Sequence, residues 1–365
     1  MILQPGEGRI DGGHYLPVSP DTSRWGWWPD NATDAVLTVG DGDVVTVDTL
    51  SHEGILEDQG RDPVGFFAGH GVDRAGVLDD AVVIAQESDH TFGVDGAHVV
   101  TGPIQVRGAE PGDLLQVDVL GFALRVPYGV TSNRHGLGAL PDEMPDGSAP
   151  VELTAPDTGY GTVSVFTSVE GSADDGEAVL PYADGRAVRY RLAPFLGMMG
   201  VSPDTTDPVP TRPPGRHGGN IDVKWLTVGS SVYLPVQVPG AGFAVGDPHF
   251  AQGNGEVSLT ALEGSLRTDL RLSVLKGGEA GAAVGLIENP LGETDEYWIP
   301  IGMHSDLDEA LREAVRQALT FCETRLGVPR HLAYAYLSAA ADFEVTQVVN
   351  DVKGVHCRIR KSDFE

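Results

Sequence analysis

The stretch from His217 to Glu263 carries the residues best suited to hold a divalent cation and to move a proton. It opens with His217-Gly-Gly-Asn220-Ile-Asp222, continues through Gly246-Asp247-Pro-His249, and includes Gln252-Gly-Asn-Gly-Glu256. Imidazole and carboxylate are the ligand types that zinc and related ions take. The flanking glycines let the backbone adopt the dihedrals that bring such side chains close together. Asp247 and His249 are two residues apart, which in extended chain directs both side chains to one side. Aspartate and glycine also populate ordinary turns, and the spacing is not a fixed motif of the His-Glu-x-x-His kind. The residues permit a metal site without dictating one.

A second group is Ser51-His52-Glu53. His52 follows the strand-like Val44–Leu50, so its side chain can project from a strand end into a site; the alternative is a solvated loop. His98 opens a third group that leads into Glu110-Pro-Gly-Asp113, a tight turn before a strand with no chemistry of its own. Nucleophilic schemes fit less well. Ser230 and Ser231, with Lys224 as a base, lack the surrounding glycine-serine run and read as a turn entering a strand. Cys322 falls on the apolar face of a helix, and Cys357 lies in a basic, strand-like segment.

The elements that must position these residues are mainly strands. Ala35–Val39, Asp43–Thr49, Leu114–Leu120 and Val257–Leu266 alternate or run apolar and are bounded by Gly, Asp and Pro. No strand–helix alternation recurs, which excludes a doubly wound parallel sheet. From Asp306 to Leu326, apolar residues including Leu307, Leu311, Ala314, Ala318 and Cys322 fall at helical spacing. Ser305 with Asp308 resembles a capping box, and Gly327 suits the position after the helix. A second helix is expected over His331–Ala341, followed by strands at Glu344–Val349 and Val355–Ile359. The expected division is an N-terminal β domain (1–140), an excursion with a hairpin near Gly161–Val169 (141–190), a β domain with the metal-site motifs (191–300), and an α+β segment (301–365).

The chain has 365 residues with 24 basic and 53 acidic side chains, a formal charge of −29. That balance argues against nucleic acid or an anionic membrane as partner. No apolar run approaches the roughly 18–20 residues that span a bilayer. Met1–Ile10 lacks a basic region followed by an apolar stretch, so a cytoplasmic location is expected. Two cysteines cannot organise a disulfide framework.

Several blocks resemble the acetamidase/formamidase family. They are Thr101-Gly-Pro-Ile-Gln-Val-Arg-Gly-Ala-Glu-Pro-Gly-Asp113, the His217–Asp222 block, Tyr233-Leu-Pro-Val-Gln-Val-Pro-Gly-Ala241, Gly246–His249, Gln252–Glu256, and the C-terminal Tyr336–Phe343 and Val345–Asn350. Their order matches over about Ala35 to Ile359. Phe195-Leu-Gly-Met-Met-Gly-Val-Ser202 departs from the pattern where many members carry Pro-Gly. Pro248 stands where a small residue is common, and Ser51–Gly60 resembles one subgroup only. The resemblance implies a mainly β fold of sandwich or barrel type with a C-terminal α+β portion, and a homo-oligomer of two or more subunits. It also implies a divalent metal, zinc with calcium as an alternative second ion, and hydrolysis of a formamide- or acetamide-type amide to carboxylate and ammonia. Within this reading His52, Asp222, Asp247 and His249 are the expected metal ligands. Glu256 is the expected general base. Asn220, or alternatively the backbone amides of Gly218 and Gly219, is expected to stabilise the oxyanion, and His217 completes the catalytic set. The alternatives are a hydrolase of a cyclic amide or imide, and a non-catalytic β protein that binds a metal or small molecule.

Overall fold

The computed structural model describes residues 2–146 and 161–364. Among these, strands build a nine-stranded and an eleven-stranded sheet. The expected mainly β class with a C-terminal α+β part is what is found. In the first sheet, Leu266–Leu275 lies between Asp43–Asp48 and Leu114–Leu124, and the order continues through Ser231–Pro235, Leu291–Glu293 and Tyr297–His304 to Lys353–Arg360 and Asp342–Gln347. In the second, Phe243–Ala251 sits among Phe195–Gly200, Val99–Val106 and Leu262–Glu263.

Alternation explains why the sheets face each other. Val45 and Val47, Leu115 and Val117, and Leu270 and Leu272 recur at period two, so these three strands of the first sheet each turn one apolar row inward. These residues share one buried cluster with Ile104, Leu196, Met199, Phe243 and Val245 of the second sheet. Two sheets packed face to face over a common core form a sandwich. Phe243–Ala251 is buried at every position but its last, so its polar residues Asp247 and His249 lie inside the protein.

The C-terminal helix covers Leu307–Thr324, with a second at Arg330–Ala340. Its cap is Asp306, not Ser305: the Asp306 carboxylate accepts the Glu309 N–H at 3.0 Å. Its buried face consists of Ala310, Ala314, Ala318, Leu319, Phe321 and Cys322, while Leu311 is 40 % exposed. The alanines have a physical reason. The helix lies on Gly302 so closely that a Cβ there would stand 2.2 Å from both Ala310 O and Ala314 N.

Two other expectations change. Val257–Leu266 is not a continuous strand; a tight turn comes first, then Leu262–Glu263, and Leu266 opens the next long strand. Short helices at Pro63–Ala68, Asp79–Glu87 and Gly277–Val284 escape the sequence pattern. The span where a hairpin is expected, near Gly161–Val169, is a single strand, Val163–Glu170, whose antiparallel partner Glu177–Ala183 follows it. Residues 147–160 of the expected excursion lie outside the described residues. No helix among the described residues is long and apolar enough to cross a membrane.

Candidate active site

Five segments converge on the buried end of Phe243–Ala251. Asp247 and His249 come from that strand, and Glu263 stands opposite His249 in the neighbouring strand's register. Asp222 arrives from the loop after Gly218–Asn220, where its N–H donates to Gly197 O at 3.1 Å. His52 follows Asp43–Asp48, and His98 immediately precedes Val99–Val106. Glu256 enters from the turn after Ala251. Three of these acids have left-handed backbones: Asp222 (φ 52°), Asp247 (φ 51°) and Glu256 (φ 47°). Non-glycine residues held there cost on the order of 1–3 kcal/mol each and persist where the surroundings over-determine them. Asp247 therefore joins His249 through a twisted backbone, not through simple strand alternation.

The polar atoms face one another without the alignment of hydrogen bonds. His249 Nε2 lies 3.1 Å from both Asp247 Oδ2 and Glu263 Oε1. His52 Nδ1 lies 3.6 Å from Asp247 Oδ1, and His98 Nε2 lies 3.9 Å from the same oxygen. His249 Nδ1 is 4.0 Å from Asp222 Oδ1. Both His249 nitrogens, His52 Nδ1, Asp222 Oδ1, Asp247 Oδ1, Glu256 Oε2 and Glu263 Oε2 are buried with no hydrogen-bond partner. Buried polar atoms are rarely left so. Ligand atoms of three overlapping sets (His52, His98, Asp247; Asp222, Asp247, His249; His249, Glu256, Glu263) lie within 4.8 Å of one another. Imidazole and carboxylate donors in this number and proximity fit a divalent cation.

Their outward-facing atoms are tied down. Asn350 Nδ2 donates to Asp222 Oδ2 at 2.5 Å, and Gln252 Nε2 donates to the Asp222 carbonyl at 2.9 Å. Glu263 is fixed at the oxygen that faces His249, as Oε1 also accepts the Ala261 N–H at 3.0 Å, which leaves Oε2 free. His98 Nδ1 pairs with the Thr211 hydroxyl at 3.1 Å, which leaves Nε2 toward Asp247. Such outer contacts orient ligands.

The electrostatics follow from burying many carboxylates together. Burial, reinforced by neighbouring acids, raises Asp222 and Glu256 well above the carboxylate range, and Glu263 is raised as well. Asp247 goes the other way: burial opposes its charge, but His249, His98 and His52 together pull it well below. Burial likewise disfavours charge on His52, yet Asp247, Glu53 and Glu263 raise it to about 10. His98 is pushed down to about 3 by burial, which keeps its imidazole neutral. Carboxylates gathered in this way hold either protons or a cation.

A cavity of about 130 Å³ opens onto this cluster, lined by His52, His98, Asn220, Asp247, Glu256 and Glu263 among others. Gly197 keeps the space clear: a Cβ there would stand 2.6 Å from Asp222 Oδ1 and His249 Cε1 and 2.7 Å from Asp247 Oδ2. Of the sequence candidates, His52, Asp222, Asp247, His249, Glu256 and Asn220 meet at this place. His217 does not. It is half-buried against Trp28, with ring centroids 5.7 Å apart, because Gly218 (φ 90°) and Gly219 (φ 75°) turn the chain between it and Asn220. Asn220 is oriented differently from expectation: its amide donates to Arg212 O at 3.1 Å, and its unpartnered Oδ1 is an acceptor. The Gly218 N–H is spent on Gly215 O at 2.9 Å. His98 and Glu263 join the cluster without an expected role. Glu263 carries one local signal, a single acid between an apolar run and Gly264.

The sequence profile of the Acetamidase/Formamidase family matches residues 77–208 and 204–359. The chain belongs to this family. It is 30 % identical over 218 residues to a formamidase of Methylophilus methylotrophus, covering 50 % of this chain and 52 % of that one. It is 31 % identical over 235 residues to an acetamidase of Mycolicibacterium smegmatis, covering 53 % and 57 %. These matches thus span about half the length of the curated relatives. The fold is similar to that of an acetamidase from Bacillus halodurans, with a TM-score of 0.72, 24 % identity, and coverage of 96 % and 98 %. The acetamidase/formamidase blocks supply most of the cluster, and the C-terminal one delivers Asn350 to the Asp222 carboxylate.

Proposed function

We propose that the protein is a metal-dependent amidohydrolase that cleaves the C–N bond of a short aliphatic amide to carboxylate and ammonia. The observation that carries the reading is the set of unpartnered, buried imidazole and carboxylate atoms around Asp247 and His249 at the end of a small cavity. Family membership supports the reaction class. Asp247 with His52 and His98, and Asp222 with His249, are the residues that would hold the ion; the mixed imidazole and carboxylate donor set favours zinc. A divalent cation there supplies Lewis acidity toward the amide carbonyl.

The chain's own residues do the rest. Glu256 Oε2 is buried, unpartnered and held at a raised pKa, as suits a group that takes a proton from attacking water and passes it to the departing nitrogen. Asn220 Oδ1 can accept an N–H from the substrate's amide nitrogen, which orients the leaving group. The small cavity restricts substrate size. The reading includes a homo-oligomer, an expectation carried by the family resemblance.

The test is an ammonia-release screen of the purified protein over formamide, acetamide and short cyclic amides. Release from linear amides, abolished by chelation and restored by zinc, is the expected result. Release from cyclic substrates alone, or from none, overturns the substrate assignment.

A further inference from the structure

The turn that carries Glu256 also supplies an apolar wall to the same cavity. Leu259 N–H donates to Glu256 O at 3.2 Å, and the two residues have φ of 111° and 47°. Glycine is the residue that adopts such backbone freely, yet this sequence places a large apolar side chain at Leu259. Leu259 lines the cavity together with Phe92 and Leu137. The three come from separate loops, residues 252–261, 88–98 and 134–146. Leu137 and Leu259 are half-buried and join none of the buried hydrophobic clusters, so packing of the fold does not explain their size.

We propose that Phe92, Leu137 and Leu259 form the acyl-binding side of the active site, so that the preferred substrates are primary amides with a short apolar acyl chain, ahead of formamide. This rests on the amidase reading above. Formamide has no carbon beyond its carbonyl and gains nothing from such a wall. Each further methylene removed from water improves binding about fourfold. The turn couples the two tasks, since one strained segment presents both Glu256 and the wall.

The experiment measures kcat/KM by ammonia release, and binding by calorimetry, for formamide, acetamide, propanamide and butanamide. The proteins are the wild type, Leu259→Asn and Leu137→Asn. Asparagine shares leucine's branched four-atom side-chain skeleton and is among the non-glycine residues that tolerate positive φ, so Leu259→Asn chiefly changes the polarity of the wall. The wild type is expected to favour butanamide over formamide by roughly 60-fold, three methylenes at about fourfold each. That ratio, which cancels any loss of folded protein, is expected to fall at least about tenfold in Leu259→Asn, with a smaller fall in Leu137→Asn. Turnover with no dependence on acyl length, or a ratio unchanged in both variants, overturns the acyl wall while the amidase reading stands. Binding that strengthens with acyl length and no ammonia from any amide supports the wall and overturns hydrolysis. Neither binding nor turnover overturns both.

Discussion

The Leu307–Thr324 helix and the acid cluster around Asp247 both depend on a glycine that lets other groups come close, yet they are built in opposite ways. At the helix, Gly302 removes a side chain so that alanines at regular helical spacing reach the strand beneath, and every local preference agrees with the result. At the cluster, Gly197 leaves space among Asp222, Asp247 and His249, and three acids are held in left-handed backbone that non-glycine residues adopt sparingly. Packing is assembled with local preference; the site is assembled against it. Structural strain of this kind is concentrated where geometry has a task beyond stability.

Substitutions that separate activity from stability test this contrast. The largest expected effect is at Glu256. Glu256→Gln is expected to lower kcat by roughly 10²–10⁴-fold, the contribution of a positioned proton acceptor, with metal content and melting temperature little changed. Loss of the metal in that variant would instead make Glu256 a ligand. Next comes Gly197→Ala, whose methyl would intrude at 2.6–2.7 Å among the candidate ligands. We expect cation affinity to drop roughly 10–100-fold, read by metal titration. If the variant binds metal normally, the ligands are not those surrounding Gly197.

The same change made at the helix is expected to affect the other property. Gly302→Ala puts a methyl 2.2 Å from two helix backbone atoms. It is expected to cost about 1–3 kcal/mol, seen as a lower thermal midpoint, with kcat/KM unaffected in the folded fraction. A variant with normal stability and low activity would reverse the contrast. The smallest effect is expected at Leu311, which is 40 % exposed. Leu311→Asp should shift stability by no more than about 0.5 kcal/mol. A large fall in melting temperature or a change in hydrodynamic size would show that another surface covers it.

This contrast also explains what could be read from the sequence. The two C-terminal helices and the strands Asp43–Asp48 and Leu114–Leu124 announce themselves through period and caps, apart from a one-residue shift of the cap to Asp306. Asp222, Asp247, His249 and Glu256 stand out because their types and glycine neighbours suit ligand chemistry. Glu263 bounds the same stretch and His98 opens a separate group, but neither shows a role in the sequence, since their significance lies in strand register and in the Thr211 hydrogen bond, both non-local. His217 misleads because it shares a motif with Asn220 and Asp222, and the positive φ of Gly218 and Gly219 that turns it away is invisible in residue type. The strand expected over Val257–Leu266 fails for the same reason: apolar composition at Val257 and Leu259 conceals a left-handed turn.

Metal stoichiometry tests the central claim most directly. Elemental analysis of the purified wild type and of Asp247→Ala, with amidase activity before and after exhaustive chelation, is the measurement. Asp247 is the residue that His52, His98 and His249 all face. The account predicts about one or more equivalents of divalent cation per chain in the wild type, loss of that metal in Asp247→Ala, and activity that disappears on chelation and returns with zinc. Metal-free wild-type protein that keeps full activity after chelation would contradict it.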